Sequence, residues 1–566
     1  MRHSSASSRS KVAIKQSRCR AALLLAAVAL ACAGGQQTVA RELGVARELA
    51  LARGLEPIAY VISVPDPSTH EIVVQATVPT SGSASLDLMM PTWSPGYYRV
   101  EDYAANVRDV SAETADGQPL VVEKTNGNHW RVDTRGGQIG RVVKLTYRVF
   151  CNQRSVTTNY VDAEYGVFNG APTFITLAEN VKRPHDVRIE LAPGWTAAMT
   201  GLDDAPGGRP NAFRAADYEM LVDSPIVAGK LGIRTFDVTG KKHYVVSAGN
   251  SEGWDGDRAT RDLKTFVEEN RRFWGFLPYE KYVFLLLFRP GGGGLEHRNS
   301  NLSTVLAKPR PRADGTPAAP DARWPSLGLE AHEYFHLFNV KRLRPIELGP
   351  FNFEKAPTTG SLWISEGVTS YYSGLLMARA GLHTPDEYLA SLSSVIGNLQ
   401  SSPGRLLQSV ERSSLEVWEN SNSGVNAKDT TVSYYVKGHV LGLVLDAKIR
   451  RVTNGRASLD DVMKLAYRRY SGARGFTADE FRRTTEEVAR VDLRQWFTSA
   501  VSSTDELDYS DLLEWFGLRF VASSGSASGN GSSGGSSGGA SGAWTLERRP
   551  DQTAEQRQRL KKLLEP

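Results

Sequence analysis

Ala331-His332-Glu333-Tyr334-Phe335-His336 is the stretch from which the rest of the chain is read. It sits in an apolar run, residues 329–340, that lacks Gly and Pro and so predicts a buried helix. Positions four apart share a helix face, so the imidazoles of His332 and His336 can reach one metal ion while Glu333 stands beside it. This donor set suits zinc used for hydrolysis, with Glu333 as general base. The bland alternative is a buried helix carrying two satisfied histidines.

Zinc bound by two histidines needs a third protein ligand and one open position for water. Thirty residues after His336 comes Leu362-Trp363-Ile364-Ser365-Glu366-Gly367-Val368-Thr369-Ser370-Tyr371-Tyr372. Glu366 is the candidate ligand; Trp363, Tyr371 and Tyr372 mark its segment as buried rather than as a solvated helix start. Upstream, a strand expected over 282–288 runs into Gly291-Gly292-Gly293-Gly294-Leu295-Glu296-His297. Gly293 and Gly294 would let a peptide backbone approach closely, and a fixed Glu296 carboxylate can bind a free α-ammonium; an ordinary glycine turn with an exposed Glu is the competing interpretation. Downstream, Ser433-Tyr434-Tyr435-Val436-Lys437-Gly438 opens a helix, and a Tyr hydroxyl near the metal could stabilise an oxyanion.

Around this centre the pattern changes twice. Before it, short alternating runs at 59–64, 71–78, 85–90, 142–147 and 187–191, set between turn residues, predict a β-sandwich-like domain. Trp93, Tyr97, Tyr98, Trp130 and Trp195 are expected there as core and inter-domain packing. After it, Thr384 with Glu387, Ser458 with Asp461, Thr477 with Glu480 and Thr553 with Gln556 predict capped helices, the second cap weakened by the shorter Asp. Residues 522–543 consist of Ala, Ser, Gly and Asn only and read as a flexible linker.

At 566 residues and 61.9 kDa the chain must divide into several domains. Its formal charge of +5 is concentrated in six basic residues before position 33, and without them 61 basic face 62 acidic residues. A near-neutral remainder has no field to steer it to nucleic acid or anionic lipid. The basic opening and the apolar run 21–31 read as a signal segment, predicting export to a periplasmic or secreted location. Cleavage is expected after Ala31-Cys32-Ala33 or Thr38-Val39-Ala40. Ala29-Leu30-Ala31-Cys32 offers a lipoprotein-type alternative with a lipid anchor at Cys32. No later stretch is long and apolar enough for a transmembrane helix. Cys19 and Cys32 fall within or beside the signal, which leaves Cys151 without a disulfide partner and excludes a cysteine metal cluster.

Taken in order, these elements resemble the glycyl aminopeptidase family of gluzincin (HExxH…E) zinc metallopeptidases, from about residue 57 to 520 and again from 544. Pro91-Thr92-Trp93-Ser94-Pro95-Gly96-Tyr97-Tyr98, Tyr218-Glu219-Met220-Leu221-Val222-Asp223-Ser224-Pro225 and Asn339-Val340-Lys341-Arg342-Leu343-Arg344-Pro345 share in it. The resemblance implies one Zn2+ per chain on His332, His336 and Glu366, Glu333 as base, Glu296 as anchor of the substrate amine and Tyr435 as oxyanion donor. The wider clan carries Gly-Ala-Met-Glu-Asn at the amine-binding strand, where Leu295 and His297 stand here. A PDZ domain, usual in the family, is absent, because residues 522–543 are too few to build its core.

The expected architecture is multidomain: a β-sandwich-like N-terminal domain and a thermolysin-like α+β catalytic domain with a mainly helical C-terminal part. Its expected boundaries are a signal over 1–33, a leading segment over 34–56, the β-rich domain over 57–235 and the peptidase domain over 236–505. A short extension follows over 506–521, then the linker over 522–543 and a tail helix over 544–566. The expected function is release of N-terminal residues, Gly or Ala, from peptides with a free N-terminus. A zinc endopeptidase and a non-catalytic peptide-binding scaffold are the alternatives. An intact Glu333 argues against the scaffold, since a structural zinc site needs no base.

Overall fold

The computed structural model describes residues 55–135, 140–179, 182–307, 324–420, 427–521 and 544–565. The signal segment, its cleavage sites, Cys32 and the 522–543 linker lie outside these residues. Among those described, no helix is long and apolar enough to cross a membrane.

The N-terminal region is β-rich. Ile58–Ser63 pairs with Glu71–Pro79 on one side and runs parallel to His185–Glu190 on the other, at the centre of an eight-stranded sheet. Strict alternation puts Ile58, Tyr60, Ile62, Val74 and Ala76 on its buried face. Against that face lies a four-stranded sheet holding Ser85–Met89 and His129–Asp133, and Leu86, Leu88, Trp130 and Val132 complete a shared core. Val107–Thr114 carries no clean alternation because its register shifts between Arg108 and Ser111, where Asp109 takes a positive φ.

A third sheet, with Tyr165–Phe168 and Ile226–Gly229, joins this region to the next. Val167 and Val227 share a core with Val246, Leu285 and Leu302 of a five-stranded mixed sheet. In that sheet Lys241–Gly249, Lys281–Phe288 and Ser300–Val305 run parallel, flanked by antiparallel edge strands Gly232–Val238 and Gly293–Glu296. From Tyr282 to Phe288 the strand Lys281–Phe288 is buried and almost wholly apolar because both of its faces are covered, one by the third sheet and one by helices.

One core unites the other face of this sheet, the helix Leu327–Phe335 and the helical part that follows. The anticipated caps are in place: Thr384, Thr477 and Thr553 each exchange hydrogen bonds with the acid or amide three residues on, and Asp461 accepts from the Ser458 amide at 2.9 Å. The tail is part of this core. Thr545–Arg548 pairs with Leu518–Val521, Leu560 and Leu563 of the helix Ala554–Leu564 are buried, and Arg379 Nε donates to the Leu563 carbonyl at 3.0 Å.

Candidate metal and peptide site

His332 lies on the helix Leu327–Phe335 and His336 caps it, so helical spacing turns both rings to one side. Their Nε2 atoms are 3.0 Å apart. Glu366 Oε2 stands 3.5 Å from the first and 3.1 Å from the second. Donors about 2.0–2.1 Å from one tetrahedral zinc would be separated by about 3.3 Å, so the three fit a single ion.

Glu366 sits on a single π-helical stretch, Trp363–Val368, that leads into the helix Thr369–Arg379. The helix Tyr434–Val452 crosses directly against this stretch. A Cβ on Gly367 would meet the Gly438 Cα at 2.3 Å, so only glycine permits the approach that brings Tyr435 to the site.

Both imidazoles are oriented from behind. His336 Nδ1 donates to the Asn339 carbonyl at 2.8 Å, which turns the Nε2 lone pair toward the other donors. His332 Nδ1 lies 3.3 Å from Ser370 Oγ, whose hydroxyl donates to the Glu366 carbonyl at 2.9 Å. The Asn339 amide donates to the Ile364 carbonyl at 2.8 Å and to Thr369 Oγ1 at 3.1 Å, clamping the exit of one ligand helix onto the entry of the other. Sequence reasoning did not single out Asn339 for this, nor Thr369 or Ser370. The available signal was small polar residues inside apolar, aromatic surroundings.

Glu333 and Glu296 arrive from opposite sides. A Cβ on Gly294 would lie 2.3 Å from Glu333 Oε1, so glycine on the edge strand is what lets that carboxylate lie against the backbone. Gly293 opens the strand at φ 110° with open space around it. Glu296 is 4% exposed, and its Oε1 has no hydrogen-bond partner. One donor atom each from Glu296, Glu333 and His336 lie within 4.8 Å of one another.

Tyr435 places its ring 6.1 Å from that of His332 and is 39% exposed. It lines a groove of about 370 Å³ with Tyr434, Val417, Tyr97 and Tyr98. The aromatic cluster expected as packing thus divides. Trp130 and Trp195 belong to the N-terminal core, and Trp93 meets Trp418 edge-on across the domain boundary at 5.5 Å. Tyr97 and Tyr98 reach the groove, a placement that local pattern does not reveal.

The electrostatics call for positive charge. Glu333 is pushed well above the usual carboxylate range, first by burial and then by Glu296, Glu366 and Glu330, against a lowering from His336. Burial alone would lower the His336 pKa, yet Glu366, Glu296 and Glu333 raise it to about 10. For Glu366 burial is likewise outweighed, by His336 and His332, and its carboxyl is held far below the ordinary range. A buried knot of carboxylates with two imidazoles fits a divalent cation by charge as well as by spacing.

The chain matches two family profiles: residues 59–230 the Peptidase M61 N-terminal domain, and residues 326–441 the M61 glycyl aminopeptidase. The second range contains His332, Glu333, His336, Glu366 and Tyr435; Glu296 falls between the two. Among solved structures, an aminopeptidase N family protein from Idiomarina loihiensis is similar at 28% identity and a TM-score of 0.76, over 82% of this chain and 79% of that one. A mutant M1 zinc metallopeptidase from Deinococcus radiodurans, bound to a Tyr-Ser-Ala substrate, aligns at 14% identity and a TM-score of 0.49, over 80% of this chain and 95% of that one. No curated protein matches the chain at a significant level.

Proposed function

The chain belongs to the M61 glycyl aminopeptidase family and is a peptidase, and from that premise we propose that it is an exported, zinc-dependent aminopeptidase that removes small N-terminal residues, Gly or Ala, from peptides. One observation carries this reading: beside a three-donor metal site lies a buried carboxylate, Glu296, with an oxygen that has no hydrogen-bond partner. A buried acceptor left without a donor is costly, and a peptide's α-ammonium would satisfy it.

His332, His336 and Glu366 would hold the ion, one per chain. When bound, zinc polarises a carbonyl and acidifies a water molecule. Glu333 accepts the water's proton and delivers it to the leaving amine. Glu296 fixes the N-terminus and so sets the first peptide bond at the reacting position, with Gly293 and Gly294 lying along the peptide backbone. Although the Tyr435 residue is 39% exposed, its hydroxyl is desolvated within the site and lies near the Glu366 charge, so its pKa stands well above the usual value and it stays protonated to donate to the oxyanion that develops on the scissile carbonyl.

A small first residue is supported by crowding over Glu296. A Cβ on Gly96 of the N-terminal domain would stand 2.6 Å from Glu296 Oε1, so this turn roofs the amine pocket. An edge strand beside a metal-motif helix supports a thermolysin-like catalytic domain, and the basic, then apolar opening of the sequence supports export.

The test is metal analysis together with kcat/KM for matched free and N-acetylated Gly- and Ala-terminated peptides. About one zinc per chain, chelator-sensitive turnover and strong preference for the free amine are expected. Equal cleavage of both peptides would install the endopeptidase reading, and full activity without metal would remove zinc from the mechanism.

A further inference from the structure

Three segments distant in sequence converge behind Glu296. Asp223 closes the short helix Tyr218–Val222 of the N-terminal domain, Lys341 follows the ligand helix, and His297 and Arg298 follow the edge strand. Lys341 Nζ lies 2.8 Å from Asp223 Oδ1 and 3.7 Å from Glu296 Oε1, and its side chain is 8% exposed. Asp223 is itself held: the Arg298 amide donates to Oδ2 at 2.8 Å, and His297 Nδ1 stands 3.2 Å from Oδ1. His297 is one of the residues at which this chain departs from the wider clan's strand motif, and here it serves the carboxylate that holds the lysine.

At 2.8 Å the lysine is hydrogen-bonded to Asp223; at 3.7 Å it is too far to hydrogen-bond to Glu296 and offers it charge alone. Glu296 thereby keeps its free acceptor while no longer standing as an uncompensated buried anion. A lysine buried alone would shed its proton, but Asp223 and then Glu296 outweigh burial and raise its pKa, so the ammonium is retained. The trio Asp223, Lys341 and Glu296 carries a net charge of −1, the complement of one α-ammonium.

Building on the aminopeptidase reading above, we propose that Lys341, clamped by Asp223, is a positioning residue for substrate. It balances Glu296 without occupying its acceptor, and so makes the pocket selective for a peptide bearing one free N-terminal ammonium. Without Lys341, two buried carboxylates would face a single incoming cation, with Glu333 and Glu366 close by, and Glu296 would lose its fixed position.

The experiment uses the zinc-loaded full chain with Lys341→Met, Lys341→Arg and Asp223→Asn, and reads kcat and KM for a Gly-terminated peptide and its N-acetylated form. Lys341→Met is expected to raise KM for the free peptide about tenfold or more at full zinc content, with a much smaller effect on the acetylated peptide, so that discrimination contracts. Lys341→Arg should restore much of it. Asp223→Asn, which loosens the clamp, should contract discrimination in the same direction and gives the answer if Lys341→Met fails to fold. A merely structural role would lower both substrates together. The proposal falls if discrimination is unchanged at full zinc content, or if KM for the free peptide drops, which would mean that the lysine opposes the substrate's charge. Wild type cutting both peptides equally would instead defeat the aminopeptidase reading on which it rests.

Discussion

Asn339→Ala isolates the clamp between the two ligand helices without touching a ligand. The side chain is 1% exposed and donates to the Ile364 carbonyl at 2.8 Å and to Thr369 Oγ1 at 3.1 Å. Each bond contributes about 1 kcal/mol net, so losing both should cost the metal-free protein about 2 kcal/mol. The consequence for metal binding is separate. The Asn339 carbonyl orients His336, and the amide sets the approach of the Glu366 turn, so loosening it disturbs a 3.1 Å separation between two ligand atoms. Outer-shell substitutions of this kind lower affinity about 10–100-fold. Asn339→Asp should be worse, because it buries a charged carboxylate that has no proton to give and faces the Ile364 carbonyl oxygen. Competition with a chromophoric chelator gives the zinc affinity, and denaturant unfolding of metal-free protein gives the stability. Wild-type affinity and stability in Asn339→Ala would refute the clamp.

Glu333→Gln should keep zinc and fold but lose about 10²–10⁴-fold or more in kcat, measured in steady state at confirmed metal content, since the amide cannot take a proton. Tyr435→Phe should lower kcat about 100-fold with little change in KM, as expected of a donor used mainly in the transition state; an unchanged kcat would make Tyr435 an ordinary groove residue. His243 is fully buried against Phe236, 2.7 Å from the Tyr279 hydroxyl, and burial lowers its pKa from 6.5 to about 4. Its neutral form therefore costs nothing above pH 6.5. As pH falls from there toward 4 the unfolded chain gains a proton that the folded chain refuses, and stability drops by about 2 kcal/mol at pH 5. Subtracting the stability–pH profile of His243→Gln from that of wild type should reveal this loss; parallel profiles would show that His243 titrates normally.

Local pattern carried far where the cause was local. Helix spacing alone put His332 and His336 on one face, aromatic neighbours alone argued that Glu366 is buried, and the four capped helices start where side-chain chemistry places them. Alternation located the central N-terminal strands, but the expected strand from Val142 stops at Tyr147, three residues short of Phe150, although the alternation runs on through Val149. What stayed hidden depends on residues far apart in the chain. Asp223 meets His297 across 74 positions, and Tyr98 and Tyr435 line one groove from different domains. Asn339 shows only the weak signal of a small polar residue in apolar surroundings, and local composition does not set Asp223 or Lys341 apart from solvated polar residues; their roles rest on contacts between segments distant in the chain.

The hairpin formed by Leu518–Val521 and Thr545–Arg548 has a bearing on how this family could vary. The two strands pair in register with Val521 opposite Thr545, and Trp544 and Phe520 stack edge-on at 5.1 Å just where the chain leaves and returns. Departure and re-entry are therefore neighbours, and any loop inserted between them would have its two ends already tied by the hairpin. Lengthening such a loop costs only slowly growing closure entropy, about 0.6 kcal/mol for each doubling. A whole folded module with adjacent termini, or the Gly/Ser tract of residues 522–543, could hang from the same knot without repacking Trp515 or Leu563 beneath it. Gain or loss of a domain at this point is an edit to an accessory, not to the enzyme.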